Sequence, residues 1–269
     1  MPTMKKKKKD RYARIIERIF LDRYTPGSTE VVFKREDINQ TAAKLRVALI
    51  SNVGDAIYSF RYRTELPETI RSKAPKGKVW IIRSAGPSRY QFVAVREVKI
   101  APSKMMAETK VPDATPGIIA MYALTDEQAL LAKVRYNRLI DVFTGVTCYS
   151  LQNHLRTTGP DKTQMETDEL YIGVDKRGAH YVFPVQAKGG NDKMGVIQIE
   201  QDIAICKGKF PGLICRPIGA QFMKNDVIAL YEFEDGEAGI TISSEKHYRL
   251  VPADGITAED LRTYLTRTQ

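Results

Sequence analysis

Apolar and polar positions alternate with different periods along the chain. Residues 10–23 place Tyr12, Ile15, Ile16, Ile19 and Phe20 on one stripe at i, i+3, i+4 spacing. That period predicts an amphipathic helix, ended by Thr25-Pro26-Gly27-Ser28. A short extended run, Glu30–Phe33, leads into a second helix from about Glu36, with Ile38, Ala42 and Leu45 inward. A third helix, capped by Ser51 or Asn52, turns Ala56, Ile57 and Phe60 to the core. A brief helix near Pro67–Ser72 precedes two β runs, Val79–Arg83 and Tyr90–Val95, joined by Ser84-Ala85-Gly86-Pro87-Ser88. Trp80 alternates with apolar neighbours and reads as core. Helix, β segment, two helices and a hairpin is the order of a winged helix-turn-helix, with the hairpin as its wing.

Residues 99–118 contain three prolines and few large apolar side chains, and read as a linker. Thr125 then caps a long helix, with Asp126 and Glu127 in its first turn and Leu130, Leu131, Val134, Leu139 and Ile140 on its apolar side. Two apolar runs follow around Asp175-Lys176-Arg177-Gly178, which fits a three-residue hairpin loop with Gly178 left-handed. Residue 175 then pairs with 179. Continuing this register, Asp168 faces Gln186 and Glu166 faces Lys188, at cross-strand distances of about 5 Å between Cβ atoms.

By the two-residue strand period, Leu170, Ile172, Val174, Val182 and Pro184 share the face of those four residues. Tyr171, Tyr181, Phe183, Val185 and Ala187 form the other. Two apolar faces place the hairpin inside a layered α/β structure. A helix over Val196–Cys206, β runs at Leu213–Arg216 and Val227–Phe233, and a C-terminal helix from about Thr257 follow. Strands joined by a helix imply a crossover, hence a mixed sheet. The expected organisation is a basic domain over 1–98, a linker over 99–118 and a second domain over 119–269.

Charge sharpens this division. Residues 1–110 carry 25 Lys and Arg against 11 Asp and Glu, whereas the remainder carries 17 against 21. Lys5–Lys9 contribute only five of the excess, so a basic tail does not account for it. A basic module joined to an acidic one suits a nucleic-acid enzyme, one part neutralising phosphates and the other binding metal. Major-groove helices read from their N-terminal residues, while wings hold phosphates. The candidate DNA contacts are Lys34 and Arg35, then Asn52, Tyr58, Arg61 and Arg63 on or beside the third helix, and Lys78, Arg83 and Arg89 on the wing. Cys148, Cys206 and Cys215 are not in CxxC spacing, and no apolar run approaches a membrane span, so the expectation is a reducing, cytoplasmic setting.

A carboxylate pair beside a lysine and an amide has a chemical use. Mg²⁺ takes oxygen ligands, usually one or two carboxylates plus substrate phosphate, and a lysine can orient an attacking water. Asp168 opening one strand, a hairpin, then Gln186-Ala187-Lys188 closing the next resembles the PD-(D/E)xK nuclease superfamily. The resemblance covers about residues 125–235 and is nearest to the branch with Gln at the second acidic position, as in Mrr-type nucleases. It implies a restriction-endonuclease-like mixed β-sheet flanked by helices. It further implies Asp168 as metal-binding acid, Gln186 at the Glu position, Lys188 as the motif lysine, and metal contacts from Asp168, Glu166 and the Ala187 carbonyl.

Thr167 replaces the motif's proline, and Gln186 brings no charge, so a second carboxylate falls to Glu166, Glu169 or Glu200. Glu127 or Asp141, on the preceding helix, are auxiliary candidates. Asp175 belongs to the turn. The expected activity is Mg²⁺-dependent cleavage of double-stranded DNA at a specific sequence, of type II restriction kind, with Mn²⁺ as substitute and a homodimer to cut both strands. The alternatives are a structure-selective repair or junction nuclease, and a non-cleaving DNA-binding regulator.

Overall fold

A computed structural model describes residues 2–48, 52–98, 100–122, 127–159, 164–190, 192–237 and 239–267. The chain forms two compact units, Met1–Lys99 with Thr158–Gln164, and Ile100–Thr157 with Met165–Gln269.

The first unit runs α1 (Pro2–Arg23), β1 (Glu30–Lys34), α2 (Arg35–Lys44), α3 (Val53–Tyr62), α4 (Glu68–Arg71), β2 (Lys78–Ser84) and β3 (Arg89–Arg96). The predicted stripe of α1, from Tyr12 to Phe20, is buried. Phe20 meets Trp80 and Phe92 edge-on at 5.1 Å, which ties α1 to the antiparallel sheet β1-β3-β2. Asp37 fixes the start of α2, its carboxylate accepting from Lys34 N at 2.6 Å. Asn52 stands at the N-cap of α3 without a side-chain cap bond, and Ser51 lies outside the described residues.

The second unit contains β4 (Glu108–Pro112), α5 (Gly117–Tyr122), α6 (Glu127–Tyr136), α7 (Leu139–Thr144) and β5 (Thr147–Thr158). It continues with β6 (Gln164–Val174), β7 (His180–Lys188), α8 (Val196–Lys209), β8 (Ile214–Cys215), β9 (Ile218–Phe222), β10 (Val227–Gly236), β11 (Gly239–Val251) and α9 (Ala258–Thr266). The strands form one sheet in the order β4-β11-β10-β9-β7-β6-β5, with β8 beside β7. β7 pairs β9 in parallel across the α8 crossover, β10 pairs antiparallel to β9 and β11, and β4 lies parallel to β11. The unit is α/β with a mixed sheet.

Both faces of the β6–β7 hairpin are covered. Tyr171, Tyr181, Phe183, Val185 and Ala187 pack with Leu130, Leu131, Val134, Leu139 and Ile140 of α6 and α7. Leu170 and Val182 pack with Ile205 and Cys206 of α8 on the other side. Each fully buried Leu, Ile or Phe contributes about 1.5–3 kcal/mol. The register agrees with the turn arithmetic, from Val174↔His180 to Glu169↔Val185, and Gly178 has φ +83°.

Two expectations change. Residues 99–118 are more than a linker, because Glu108–Pro112 pairs along His247–Val251, with an Arg249–Glu108 ion pair across the two strands and a Lys110–Asp260 pair to α9. The helix expected from Thr125 breaks at Arg138, which has φ +48°. Asn137, 5% exposed, causes the break: its amide donates to Lys133 O, Thr115 Oγ1 and Asp113 Oδ1 and accepts from Ala114 N. The predicted cap, Thr125 with Asp126, lies outside the described residues. No helix among the described residues is long and apolar enough to cross a membrane.

Candidate functional site

At the end of the hairpin opposite its turn, side chains take over bonding from the regular ladder. Asp168 Oδ2 accepts from Ala187 N at 2.8 Å, and Thr167 Oγ1 donates to Val185 O at 3.4 Å. Ala187 O in turn accepts from Lys188 Nζ at 3.0 Å, and the same ammonium reaches Glu127 Oε1 at 3.2 Å. One peptide segment thus holds Asp168 through its N–H and Lys188 through its carbonyl. Glu127, in the first turn of α6, closes the group from the helix side. Lys188 is 9% exposed and Glu127 more open. Burial raises the Asp168 pKa above the usual carboxylate range, opposed by the Ala187 N–H and the Lys188 charge.

Gln186 faces α8 instead. Its Nε2 donates to Asp202 Oδ1 at 3.1 Å and to Glu166 O at 3.3 Å, and its Oε1 accepts from Gln198 Nε2 at 3.3 Å. Asp202 is fully buried, its Oδ2 has no hydrogen-bond partner within bonding distance among the described residues, and burial pushes its pKa well above the carboxylate range. Asp202 was not foreseen from the sequence. Its signal was there: an acid set among Ile199, Ile203 and Cys206 on the apolar side of α8.

The remaining acids are placed elsewhere. Glu166, expected opposite Lys188, bonds Arg156 Nε at 3.0 Å and His154 Nδ1 at 3.3 Å on the β5 side. His154 holds φ +47° within β5. Glu169 is fully buried and accepts from Arg135 Nε at 2.8 Å and Ser150 Oγ at 2.5 Å. Asp141 accepts from Cys148 N and Arg138, and Glu200 lies on α8. Asp175 belongs to its turn: the Ala179 and Arg177 N–H groups outweigh the slight effect of burial and hold its pKa at about 2.

The oxygen donors around Lys188 suit a hard divalent cation. Two carboxylates, Asp168 and Glu127, and the Ala187 carbonyl match the one or two carboxylates that Mg²⁺ usually takes from protein. A larger ready-made site is not present: among the described residues no group of three or more His, Cys, Asp or Glu side chains stands close enough to hold a metal. The Gly189–Asp192 loop beyond Lys188 is held by Gln221 of β9, whose Nε2 donates to Asp192 O at 3.2 Å and Gly190 O at 3.5 Å. Asn191 itself lies outside the described residues.

In the first unit, Arg35, Asn52, Tyr58 and Arg61 line one groove between α3 and the β2–β3 turn, whose wall is Ser84, Gly86, Pro87 and Ser88. Arg63 caps α3 and lies 4.9 Å over the Tyr58 ring. Arg83 and Arg89 flank the turn, and Lys34 stands opposite Arg89 on β1. Lys78 is placed apart from them, at the open end of the hairpin opposite Arg96. No protein-family model, curated protein or solved structure matches the chain.

Proposed function

We propose that the chain is a divalent-metal-dependent endonuclease acting on double-stranded DNA, with catalysis at the Asp168–Lys188 end of the hairpin. The observation that carries this reading is the double use of Ala187, whose N–H fixes Asp168 and whose carbonyl fixes Lys188. Asp168, Glu127 and the Ala187 carbonyl would hold Mg²⁺ or Mn²⁺. When bound, the ion would polarise a phosphoryl oxygen and offset its charge.

Lys188 would orient the attacking water and balance charge on the phosphate. Its position between Ala187 O and Glu127 keeps the ammonium at the site before substrate arrives. Gln186 would act indirectly, tying the end of β7 to α8 through Asp202 and Gln198. The element order of the first unit, helix–strand–helix–helix–short helix–hairpin, supports a winged-helix reader for the DNA. A homodimer would supply the second active site for the opposite strand.

The test is incubation of plasmid and phage DNA with Mg²⁺, beside an EDTA control and Lys188→Ala. Discrete fragments absent from both controls are expected, with DNA retention by the variant intact. Cleavage by Lys188→Ala at the wild-type rate would falsify the site. A second reading, a DNA-binding protein that does not cut, is favoured by Gln186, an amide turned to α8 at the position of the family's second acid.

A further inference from the structure

The groove of the first unit differs from a surface that merely holds phosphates. It encloses about 580 Å³, within the range of small-molecule sites, and opens between α3 and the β2–β3 turn. Its lining combines the Arg35 and Arg61 guanidiniums with the Asn52 amide, the Asp55 carboxylate and the rings of Tyr58, Tyr62 and Tyr90. Tyr58 and Tyr62 lie 4.7 Å apart between guanidiniums, Arg63 at 4.9 Å over one ring and Arg61 at 5.1 Å over the other. Tyr58 is nonetheless 45% exposed. Arg61 Nε is buried without a hydrogen-bond partner among the described residues.

Each feature restricts the ligand. Arginines attract an anion. Aromatic rings and guanidinium planes attract a flat π system. Asp55 would repel a phosphate, but a carboxylate accepts from the exocyclic amino group of a base. Tyr12 OH donates to this carboxylate, which has about four acceptor sites in all. The walls decide how the base arrives. Paired bases show their edges at the floor of a major groove about 8.5 Å deep, which a protruding helix can reach and a recess cannot. A base turned out of the stack can enter a recess.

We propose that this groove binds one unstacked nucleotide of a DNA strand, its base against Tyr58 and Tyr62 with an amino group toward Asp55, and its phosphate toward Arg35. This rests on the reading of the first unit as the DNA-binding part. It makes the preferred substrate DNA with an unpaired or readily extruded base, which base pairing otherwise holds in the stack.

Two duplexes alike except for one bulged 2-aminopurine test it, with binding followed by gel retardation and by 2-aminopurine emission. The bulged duplex should bind about tenfold more tightly, within the range that one base–aromatic stack contributes. Its emission should change on binding. Tyr58→Ala should remove the preference, and Tyr58→Phe, which keeps the ring, should retain it. Equal affinities with unchanged emission overturn the nucleotide pocket and leave duplex binding standing. Retention of neither duplex overturns both.

Discussion

Glu127 Oε1 lies 3.2 Å from Lys188 Nζ, although 61 positions of chain separate the two residues. The contact joins the first turn of α6 to the last residue of β7. An acid in the first turn of a helix is ordinarily accounted for by the macrodipole. Here it also meets a nearly buried ammonium beside Asp168, so its charge belongs to the candidate site.

Replacement of that charge therefore has a direct readout. Glu127→Gln should weaken Mn²⁺ binding in the apo protein by about tenfold or more, the scale on which even outer partners of a metal site act. Isothermal titration measures it without substrate. Unchanged affinity would remove Glu127 from the ligand set.

Asp202 should make stability fall with rising pH. Its folded pKa is raised by burial, so the folded state holds a proton that the unfolded chain releases. The stabilisation is complete below the unfolded value of about 3.9 and is lost as pH rises toward the folded value, at about 1.4 kcal/mol per pH unit inside that window. Asp202→Asn keeps an oxygen for Gln186 Nε2 and cannot ionise. Urea midpoints from pH 4 to 8 should decline less steeply for the variant, which becomes the more stable protein at the upper end. Parallel profiles would contradict a protonated Asp202.

The Glu169–Arg135 pair predicts a stability loss away from that site. Glu169 is fully buried, while the Arg135 side chain is 33% exposed. Breaking a buried pair costs about 3–5 kcal/mol, and water reaching Arg135 brings the expected cost of Glu169→Ala down to about 2–3 kcal/mol. Chemical denaturation at neutral pH checks it. Glu169→Gln, which preserves a hydrogen-bond acceptor, should lose less.

Gly173 is a position where size alone matters. A Cβ there would lie 2.7 Å from Val146 Cγ1 and 2.8 Å from Phe183 Cε2. Gly173→Ala should destabilise by about 1–3 kcal/mol through overpacking in the sheet interior. A midpoint equal to wild type would show that the α7–β5 junction gives way.

The hairpin was legible because its information is local. Gly178 set the turn, the turn set the register, and the two-residue period assigned each side chain to a face. The helix stripes were legible for the same reason, and Tyr12 to Phe20 form the core they predicted. The rest depends on partners remote in sequence. Glu166 was extrapolated to Lys188 along the ladder, yet β5 supplies Arg156 and His154 from its other side. The break at Asn137 depends on residues 113–115, which no helical period reveals. Pro112 argued for a linker, but proline is tolerated where a strand needs no further donor, and it ends β4 at Val251.

That outer strand also orders events during synthesis. Ser103 N donates to Glu245 Oε1, and Glu108 meets Arg249, partners 142 and 141 positions apart. The first unit closes its own sheet between residues 30 and 96. The second cannot complete its sheet until β11 has left the ribosome, because among the described residues β4 pairs only with His247–Val251. Long-range pairing of this kind folds slowly, and domains emerging at the N-terminus fold first. In that order of synthesis the basic first unit can form its sheet while the strands of the second unit still await their last partner.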